Sequence, residues 1–394
     1  LSTIALSATL AEPLAAAFFC GFEDDDWTLV NPVMEKRRSW RVEYEDLDIA
    51  ISGAPGGPGR KDQSIGDSPR WKAVASRIIS LLEPGKTLLV FSDSRRQCER
   101  IAHLINTERG AGTAWAHHGS LSKELRLSVE RRLKAGELAC VVATASLELG
   151  IDIGELDQVV LVGTPPSVSQ ALQRMGRSGH RVSQESRCII LPLHGIDLLL
   201  AAALSQELAR GSLEPLRPIE RPLDILAQAM MSLVLERPAS PDELWERLSV
   251  WPPFRSLERG LFDATLSLLL GWRDDIPLRS LRARLRRDSI SGLIHPSDGL
   301  AFLLHTAGGA ITSRGLYALR LSDGTRIGEL DEEFVWERRA GDSFTFGNRP
   351  WRIQRIDSES VEVVPHGVAS TYMPFWRADE RYRSGLLFTA ALRI

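Results

Sequence analysis

The segment ACVVATASLELGIDIG, residues 139–154, joins a short apolar run to a polar turn. Its first part, Ala139–Ala143, is uncharged and rich in small and β-branched residues, which is typical of a strand buried on both faces. Thr144, Glu148 and two glycines follow it, and such a turn at the end of a parallel strand can contact phosphate. Taken alone, the same turn could be an ordinary loop with a carboxylate that caps a helix.

Strands and helices alternate on both sides of this segment, from residue 71 to residue 193. This alternation predicts the fold class α/β, with a doubly wound parallel sheet. The predicted strands are Thr87–Phe91, Ala139–Ala143, Gln158–Val162 and Cys188–Leu191. The predicted helices are Trp71–Leu82, Arg95–Asn106, Ser122–Lys134 and Ser167–Met175.

A second segment, QRMGRSGHR at residues 173–181, carries three arginines and two glycines. Arginine presents rigid planar donors that match phosphate oxygens, and glycine lets the backbone approach a ligand closely. Alone, the segment could be the basic end of a helix closed by glycine. Because both segments follow strands of one predicted sheet, together they indicate a phosphate-binding edge.

Composition limits the remaining possibilities. The chain has 394 residues and a net charge of −3, which allows two to four domains and excludes a global basic field. Its four cysteines stand far apart without a C-x-x-C pair, which argues against a zinc ribbon or a disulfide scaffold and fits the cytoplasm. No run approaches the roughly 18 apolar residues of a membrane span. Because the chain begins at Leu1, we expect it to be cut from a longer protein.

Two further modules follow the α/β region. Three helical patterns come first, and a series of short strands separated by turn signals comes second, which predicts a helical module and then a small antiparallel β module. The helices are Leu223–Leu235, Pro241–Leu248 and Leu257–Leu270. The strands are Leu316–Leu321, Thr325–Leu330, Phe334–Glu337, Ser343–Phe346, Trp351–Ile356 and Ser360–Val364.

Five segments, in order, resemble conserved motifs of the superfamily 2 helicases. Gln173–Arg181 resembles motif VI of the C-terminal RecA-like domain, Thr144–Gly154 motif V, and Leu89–Arg95 motif IV. His117–Ser120 resembles the family's His-Gly turn, and Ser7–Thr9 resembles motif III at the end of the first RecA-like domain.

The large helicase-related (Lhr) branch gives the more specific resemblance. Four segments look like segments of that branch: Leu147–Asp152, Gly176–Arg181, Gly328–Phe334 and Met373–Trp376. Residues 223–270 look like its winged helix. Most superfamily 2 members carry arginine where this chain has His180, so it stays open whether Arg181 replaces that contact.

This resemblance implies roles for individual residues. Arg177 would be the arginine finger that stabilises charge on the γ-phosphate of ATP, with Arg174 and Gln173 as the other catalytic candidates. The candidates for nucleotide binding are Arg177, Gly150, Asp152, Ser7 and Thr9. The candidates for nucleic-acid binding are Thr144, Ser92, Arg95, Gly119, Arg282 and Arg286.

The resemblance also implies a domain order. Residues 1–35 would end the first RecA-like domain, and residues 36–205 would form the second, with a glycine- and proline-rich loop at 48–70. Residues 206–294 would form a winged helix, and residues 295–394 a β-rich domain that could continue beyond the chain.

The phosphate cradle and the acidic motif that hold ATP and Mg²⁺ belong to the first RecA-like domain of these motors. Gly85–Thr87 imitates part of a cradle but leads from helix to strand, and Asp331–Phe334 imitates an acidic box within the β module. We therefore expect ATP and Mg²⁺ to act in the intact protein, no cofactor to be bound by this chain alone, no metal site within it, and no ATPase activity of the isolated chain.

Arginines cluster between residues 279 and 287 despite the acidic total. Either helical or strand periodicity places three of them on one face. The cluster could be a plain solvated surface, but beside the winged helix it could also contact the phosphates of a single strand, with Arg282 and Arg286 as the candidates.

Together these features predict the C-terminal part of an ATP-dependent DNA helicase or translocase, a monomeric motor that moves 3′ to 5′ and serves DNA repair. Its partner would be single-stranded or partly duplex nucleic acid, with DNA favoured, and no membrane. The alternative is a non-catalytic winged-helix DNA-binding module on a RecA-like scaffold.

Overall fold

The computed structural model describes most of the chain, and its contacts divide the protein into two compact units. The first unit comprises Leu1–Thr9, Pro32–Glu214 and Gly315–Ile394, and the second comprises Leu10–Asn31 and Pro215–Arg314. The described residues are 4–7, 9–22, 27–31, 37–44, 69–148, 153–154, 156–179, 185–273, 276–277, 283–307, 316–347, 349–357, 359–367, 372–374 and 383–394.

Within these residues the elements have the following bounds. The helices are α1 (Pro13–Phe19), α2 (Pro69–Ser80), α3 (Arg95–Arg109), α4 (Lys123–Lys134), α5 (Val168–Met175), α6 (Gly195–Arg210), α7 (Leu223–Glu236), α8 (Pro241–Ser249), α9 (Arg259–Leu269), α10 (Leu300–Ala307), α11 (Glu332–Trp336) and α12 (Gly385–Ala391). The strands are β1 (Arg38–Val42), β2 (Leu88–Ser92), β3 (Ala114–His117), β4 (Cys140–Ala143), β5 (Gln158–Val162), β6 (Ser186–Leu191), β7 (Trp272–Arg273), β8 (Ile276–Pro277), β9 (Leu285–Arg287), β10 (Ile294–Pro296), β11 (Leu316–Leu321), β12 (Arg326–Asp331), β13 (Ser343–Phe346), β14 (Arg349–Ile356) and β15 (Ser360–Pro365).

The first unit is built on a parallel sheet with strand order β1-β6-β5-β2-β4-β3. Successive residues of β2 point to opposite faces, and both faces are buried: Leu89 and Phe91 pack on one side, and Leu88 and Val90 on the other. Helices α4, α5 and α6 cover the first face, and α2 and α3 cover the second. This confirms the predicted doubly wound α/β fold.

Register brings the carboxyl ends of the central strands to one edge. Phe91 pairs with Ala143 of β4 and with Leu161 of β5, and His117 of β3 also pairs with Ala143. The predicted phosphate-binding segments follow these strands, so their turns lie along this edge.

The five-stranded C-terminal β-sheet belongs to the same unit. Its order is β12-β11-β15-β14-β13, and every pair is antiparallel except β11 with β15, which is parallel. The strand predicted at Phe334–Glu337 is wrong, because Glu332–Trp336 forms helix α11. Phe334 and Val335 are adjacent and both buried, which suits one helical turn against the sheet, whereas alternation would bury only one of them.

The second unit has its own core, formed by α7, α8, α9 and α10 with β9 and β10. The predicted helices at residues 223–235, 241–248 and 257–270 are present with similar bounds. Helix α1 belongs to this unit, where the Arg255 guanidinium lies 4.5 Å from the Phe18 ring centroid. Among the residues with a described position, no helix combines the length and the apolar character needed to cross a membrane.

Candidate functional site

Arg174 is a buried arginine at the carboxyl edge of the parallel sheet. It lies on α5, is 5% exposed, and its Nε donates to Oε2 of Glu148 at 3.0 Å. Its Nη1 lies 3.6 Å from Oδ1 of Asp93, and its guanidinium lies over the Phe91 ring, 5.4 Å from the centroid. Arg174 therefore ties together the turns that follow β2 and β4, which are the segments identified as motifs IV and V.

Arg177 lies just beyond the end of α5 and is only partly buried. Its Nη2 donates to the backbone carbonyl oxygen of Glu148 at 2.8 Å. Burial lowers the pKa of Arg177, and the nearby carboxylate of Glu148 opposes that effect. The same residue thus holds both arginines, Arg174 through its side chain and Arg177 through its backbone.

Gln173 connects the motif VI helix with the segment near the start of the chain. Its Nε2 donates to Oγ1 of Thr9 at 3.0 Å, and the Thr9 amide donates to Oγ of Ser7 at 3.3 Å. The structure therefore brings three of the predicted site residues together within the first unit.

In the first turn of helix α5, which carries Gln173 and Arg174, the backbone amides of residues 168–170 all have hydrogen-bond acceptors. Ser167 is the N-cap and accepts a hydrogen bond from the Gln170 amide. Glu214 accepts from the amides of Val168 and Ser169 at 2.7 and 3.0 Å, and from the Ser169 hydroxyl at 2.7 Å. Burial raises the pKa of Glu214, but these hydrogen bonds outweigh it, so the pKa is lowered overall.

The predicted strand-binding residues lie farther along the same sheet edge. Gly119 is exposed, and the Thr144 amide donates to the His117 carbonyl oxygen at 3.2 Å, so these two turns are neighbours. Nη1 of Arg95 donates to Oγ of Ser120, next to Gly119, at 2.6 Å.

Ser92 differs from these residues because its side chain is enclosed. The residue is 1% exposed and its hydroxyl donates to the Ser94 carbonyl oxygen at 3.4 Å. In this conformation the Ser92 hydroxyl faces the protein interior, whereas Gly119 and Thr144 reach the surface.

The remaining candidates lie in the second unit or outside the described residues. Arg286 lies on β9 in the second unit, where it is exposed and pairs with His295. Three other candidates, Gly150, Asp152 and Arg282, lie outside the described residues, as do His180 and Arg181, so the question of which of those two makes the third motif VI contact stays open.

The described residues fit the phosphate side of a nucleotide better than they fit a metal ion. In the part of the chain that the structure covers, no group of three or more His, Cys, Asp or Glu side chains could hold a metal ion. The paired histidines have protein partners instead: His117 contacts Ser146 and Glu130, and His118 contacts Glu99.

Three acidic residues of this site were not among the catalytic or binding candidates, although Glu148 was already noted in the turn after the predicted strand Ala139–Ala143. Glu148 and Asp93 lie within the motif V and motif IV segments, so their position in those motifs could have singled them out. Glu214 carries no such signal, because it lies 46 residues along the chain from Val168, whose amide donates to it.

Comparison with protein families matches two parts of the chain. Residues 73–182 match the helicase conserved C-terminal domain, and residues 206–372 match the winged helix domain of the large helicase-related protein. The second match extends from the helical unit into the C-terminal β-sheet.

Several relatives match nearly the whole chain. An Lhr helicase and probable uracil glycosylase of Mycolicibacterium smegmatis is 36% identical over 95% of it, and an Lhr helicase/uracil glycosylase of Escherichia coli is 34% identical over 95%. The ATP-dependent helicase Lhr-Core protein 2 of Thermococcus barophilus is 31% identical over 95%. The chain spans 26%, 27% and 43% of these three proteins.

Solved structures agree with these matches. The Mycobacterium smegmatis helicase Lhr bound to ssDNA and AMP-PNP is 36% identical, with a TM-score of 0.63 over 86% of this chain and 43% of that one. The DUF1998 helicase MrfA shares the fold at 21% identity, with a TM-score of 0.58 over 92% of this chain and 47% of that one. The chain therefore belongs to the large helicase-related (Lhr) family of helicases.

Proposed function

We propose that the chain is part of an ATP-dependent DNA helicase or translocase and that its α/β unit forms one wall of the ATP site. Its relatives include proteins named as ATP-dependent helicases, and the M. smegmatis relative was solved with ssDNA and an ATP analogue. We further propose that the full-length motor works as a monomer in the cytoplasm, moves 3′ to 5′ on one strand, and unwinds duplexes or RNA–DNA hybrids during DNA repair.

The observation that carries this proposal is the contact between Arg177 and the Glu148 carbonyl. It holds a partly desolvated guanidinium at the carboxyl edge of the sheet, where α/β folds bind phosphates. A guanidinium that has already lost part of its water gains more from a phosphate than a fully hydrated one. An arginine finger of this kind is worth roughly 10³ to 10⁵ in turnover.

Arg174 has a different part in this proposal. It is buried and paired with Glu148 and Asp93, so it would fix the position of Glu148, whose backbone carbonyl binds Arg177. Gln173, through Thr9, would transmit the position of this helix to the preceding RecA-like domain. Bound ATP supplies the phosphoanhydride bond whose hydrolysis drives movement, and Mg²⁺ would be held by residues outside this chain.

The strand of DNA would follow Gly119, Thr144 and Arg95 along the sheet edge. Backbone amides, a hydroxyl and a guanidinium bind phosphate without reading sequence, as a translocating motor requires. Arg286 would add a phosphate contact from the second unit.

Experiments on the isolated chain test whether it binds DNA but needs residues outside it to hydrolyse ATP. We expect it to bind single-stranded DNA in a salt-dependent way, measured by fluorescence anisotropy, and to show no DNA-stimulated ATP turnover. Steady hydrolysis by the isolated chain would contradict the proposal that the ATP-binding half lies elsewhere. The alternative, a non-catalytic DNA-binding module, predicts instead that the full-length protein also lacks ATP turnover.

A further inference from the structure

In the turn that contains Gly119, this glycine is exposed to solvent and the other residues are buried. The turn spans residues 118–122 and follows β3 directly. Gly119 is exposed, and a side chain placed there would meet nothing within 4 Å. Its neighbours His118, Ser120 and Leu121 are 0%, 1% and 4% exposed. The backbone at Gly119 is therefore accessible to a ligand, although the rest of the turn is fixed inside the protein.

The C-terminal β-sheet holds this turn by backbone hydrogen bonds. The Glu329 amide donates to the Ser120 carbonyl oxygen at 2.8 Å, and the Ser122 amide donates to the Ile327 carbonyl oxygen at 3.1 Å. Between them, Leu121 forms an antiparallel bridge with Gly328. The turn thus continues the sheet as a short additional strand beside β12.

Side chains reinforce the same contact. Leu121 belongs to the hydrophobic core of the C-terminal sheet, together with Phe344 and Phe346. Gly328 leaves no room for a side chain, because a Cβ there would lie 2.5 Å from Cζ of Phe346 and 2.6 Å from the Ser120 carbonyl oxygen. The close approach of the two backbones therefore depends on glycine at residue 328.

A buried carboxylate joins the turn to the sheet at a second point. Oε1 of Glu99 lies 2.9 Å from Nε2 of His118 and accepts from the Gly347 amide at 3.1 Å. Glu99 and His118 are both 0% exposed. Because a buried carboxylate is costly without partners, this arrangement fixes helix α3, the turn and the β13–β14 hairpin relative to one another.

We propose that the C-terminal β-sheet positions the Gly119 backbone against the phosphates of a single DNA strand, and that Gly328 and Glu99 are positioning residues for that contact. This inference rests on the proposed function, which makes Gly119 a strand contact. The Arg95 guanidinium, bonded to Ser120, lies beside the same turn and supplies positive charge. The sheet would then act in strand binding without touching the strand.

Two pairs of variants in the full-length protein test this role. Gly328→Ala places a methyl group against the Ser120 carbonyl, and Gly367→Ala is its control, because a Cβ at that exposed glycine meets nothing within 4 Å. Ser122→Pro removes the amide that bonds Ile327 and suits the φ of −59° at residue 122. Ser122→Ala is its control, because it loses the same hydroxyl cap and keeps the amide.

The measurement is the affinity for a fluorescein-labelled oligothymidylate, with the fraction of active protein titrated separately. We expect Gly328→Ala and Ser122→Pro to weaken binding about fivefold to tenfold, which corresponds to one or two lost hydrogen bonds, and both controls to bind like wild type. A role in stability alone would lower the active fraction and leave the affinity unchanged. If Gly328→Ala fails to fold, Ser122→Pro decides.

Wild-type affinity in both test variants would overturn the inference. A full-length wild-type protein that binds the oligothymidylate without hydrolysing ATP would refute the proposed motor but leave this inference to be decided by the variant affinities. A wild-type protein that does not bind the oligothymidylate would contradict both.

Discussion

Arg174 and Glu148 form a buried ion pair in which Nε and Oε2 are 3.0 Å apart and neither residue is more than 6% exposed. The pair joins motif VI to motif V, and Arg177 donates a hydrogen bond to the backbone carbonyl of the same glutamate. The buried pair thus fixes the residue that holds Arg177 at the sheet edge where ATP would react.

Removing the carboxylate of this pair should destabilise the protein. Glu148→Ala leaves Arg174 with the more distant Asp93 carboxylate and the Gln170 side-chain oxygen at 3.5 Å, and is expected to reduce the free energy of unfolding by about 3 kcal/mol. Glu148→Gln keeps an acceptor oxygen and should cost about 1 kcal/mol. Urea unfolding followed by circular dichroism measures both changes.

An exposed ion pair provides the matched control for this measurement. Lys86 and Glu83 have side chains 48% and 59% exposed, so Glu83→Ala should change stability by no more than about 0.5 kcal/mol. If Glu83→Ala and Glu148→Ala reduce the free energy of unfolding equally, the buried ion pair contributes no more to stability than the exposed one.

The carboxylate of Glu214, which accepts from the first two amides of helix α5, should make the stability of the protein depend on pH. The pKa of Glu214 in the folded protein is lowered from 4.5, so its contribution is complete above that value and is lost as pH falls through the folded pKa. Glu214→Gln should cost about 1 kcal/mol at neutral pH, because it removes a charge from a helix N-terminus.

Thermal melting between pH 7 and pH 3 measures this dependence. The difference between wild type and Glu214→Gln should shrink as pH falls below 4.5. A difference that is constant across that range would mean that the ionised form of Glu214 does not stabilise the helix.

Cysteine reactivity should report whether the parallel sheet is closed. Burial raises the pKa of Cys98, of Cys140 to about 12, and of Cys188, whereas Cys20 is exposed. A thiol-specific reagent such as dithionitrobenzoate should therefore modify one cysteine quickly in the native protein and all four after denaturation. Rapid modification of a second thiol would show that the sheet opens under native conditions.

Sequence patterns predicted the four inner strands of the parallel sheet, because strands such as Gln158–Val162 are buried on both faces and carry a continuous apolar signal. The edge strands β1 and β3 were not in the predicted set. The patterns predicted the wrong state for Phe334–Glu337, because four residues are too few to distinguish a strand from one helical turn. The parallel pairing of β11 with β15 is likewise a property of topology that no local pattern carries.

The sequence could predict only those residues of the candidate site that lie within its motifs. Arg174 and Arg177 have the same chemistry in the sequence, and only burial separates a structural arginine from one at the surface. The contact between Glu99 and the Gly347 amide joins residues 248 positions apart, and it depends on how the C-terminal sheet packs rather than on any residue pattern.

The most direct test of the central claim is ATP turnover by the full-length protein with Arg177→Ala, at saturating single-stranded DNA. If Arg177 stabilises charge on the γ-phosphate, turnover should fall by about three powers of ten while affinity for the strand stays within a few-fold of wild type. Arg177→Lys should restore little, because lysine lacks the planar fork of donors. Turnover at the wild-type rate in Arg177→Ala would contradict the account of this edge as one wall of the ATP site.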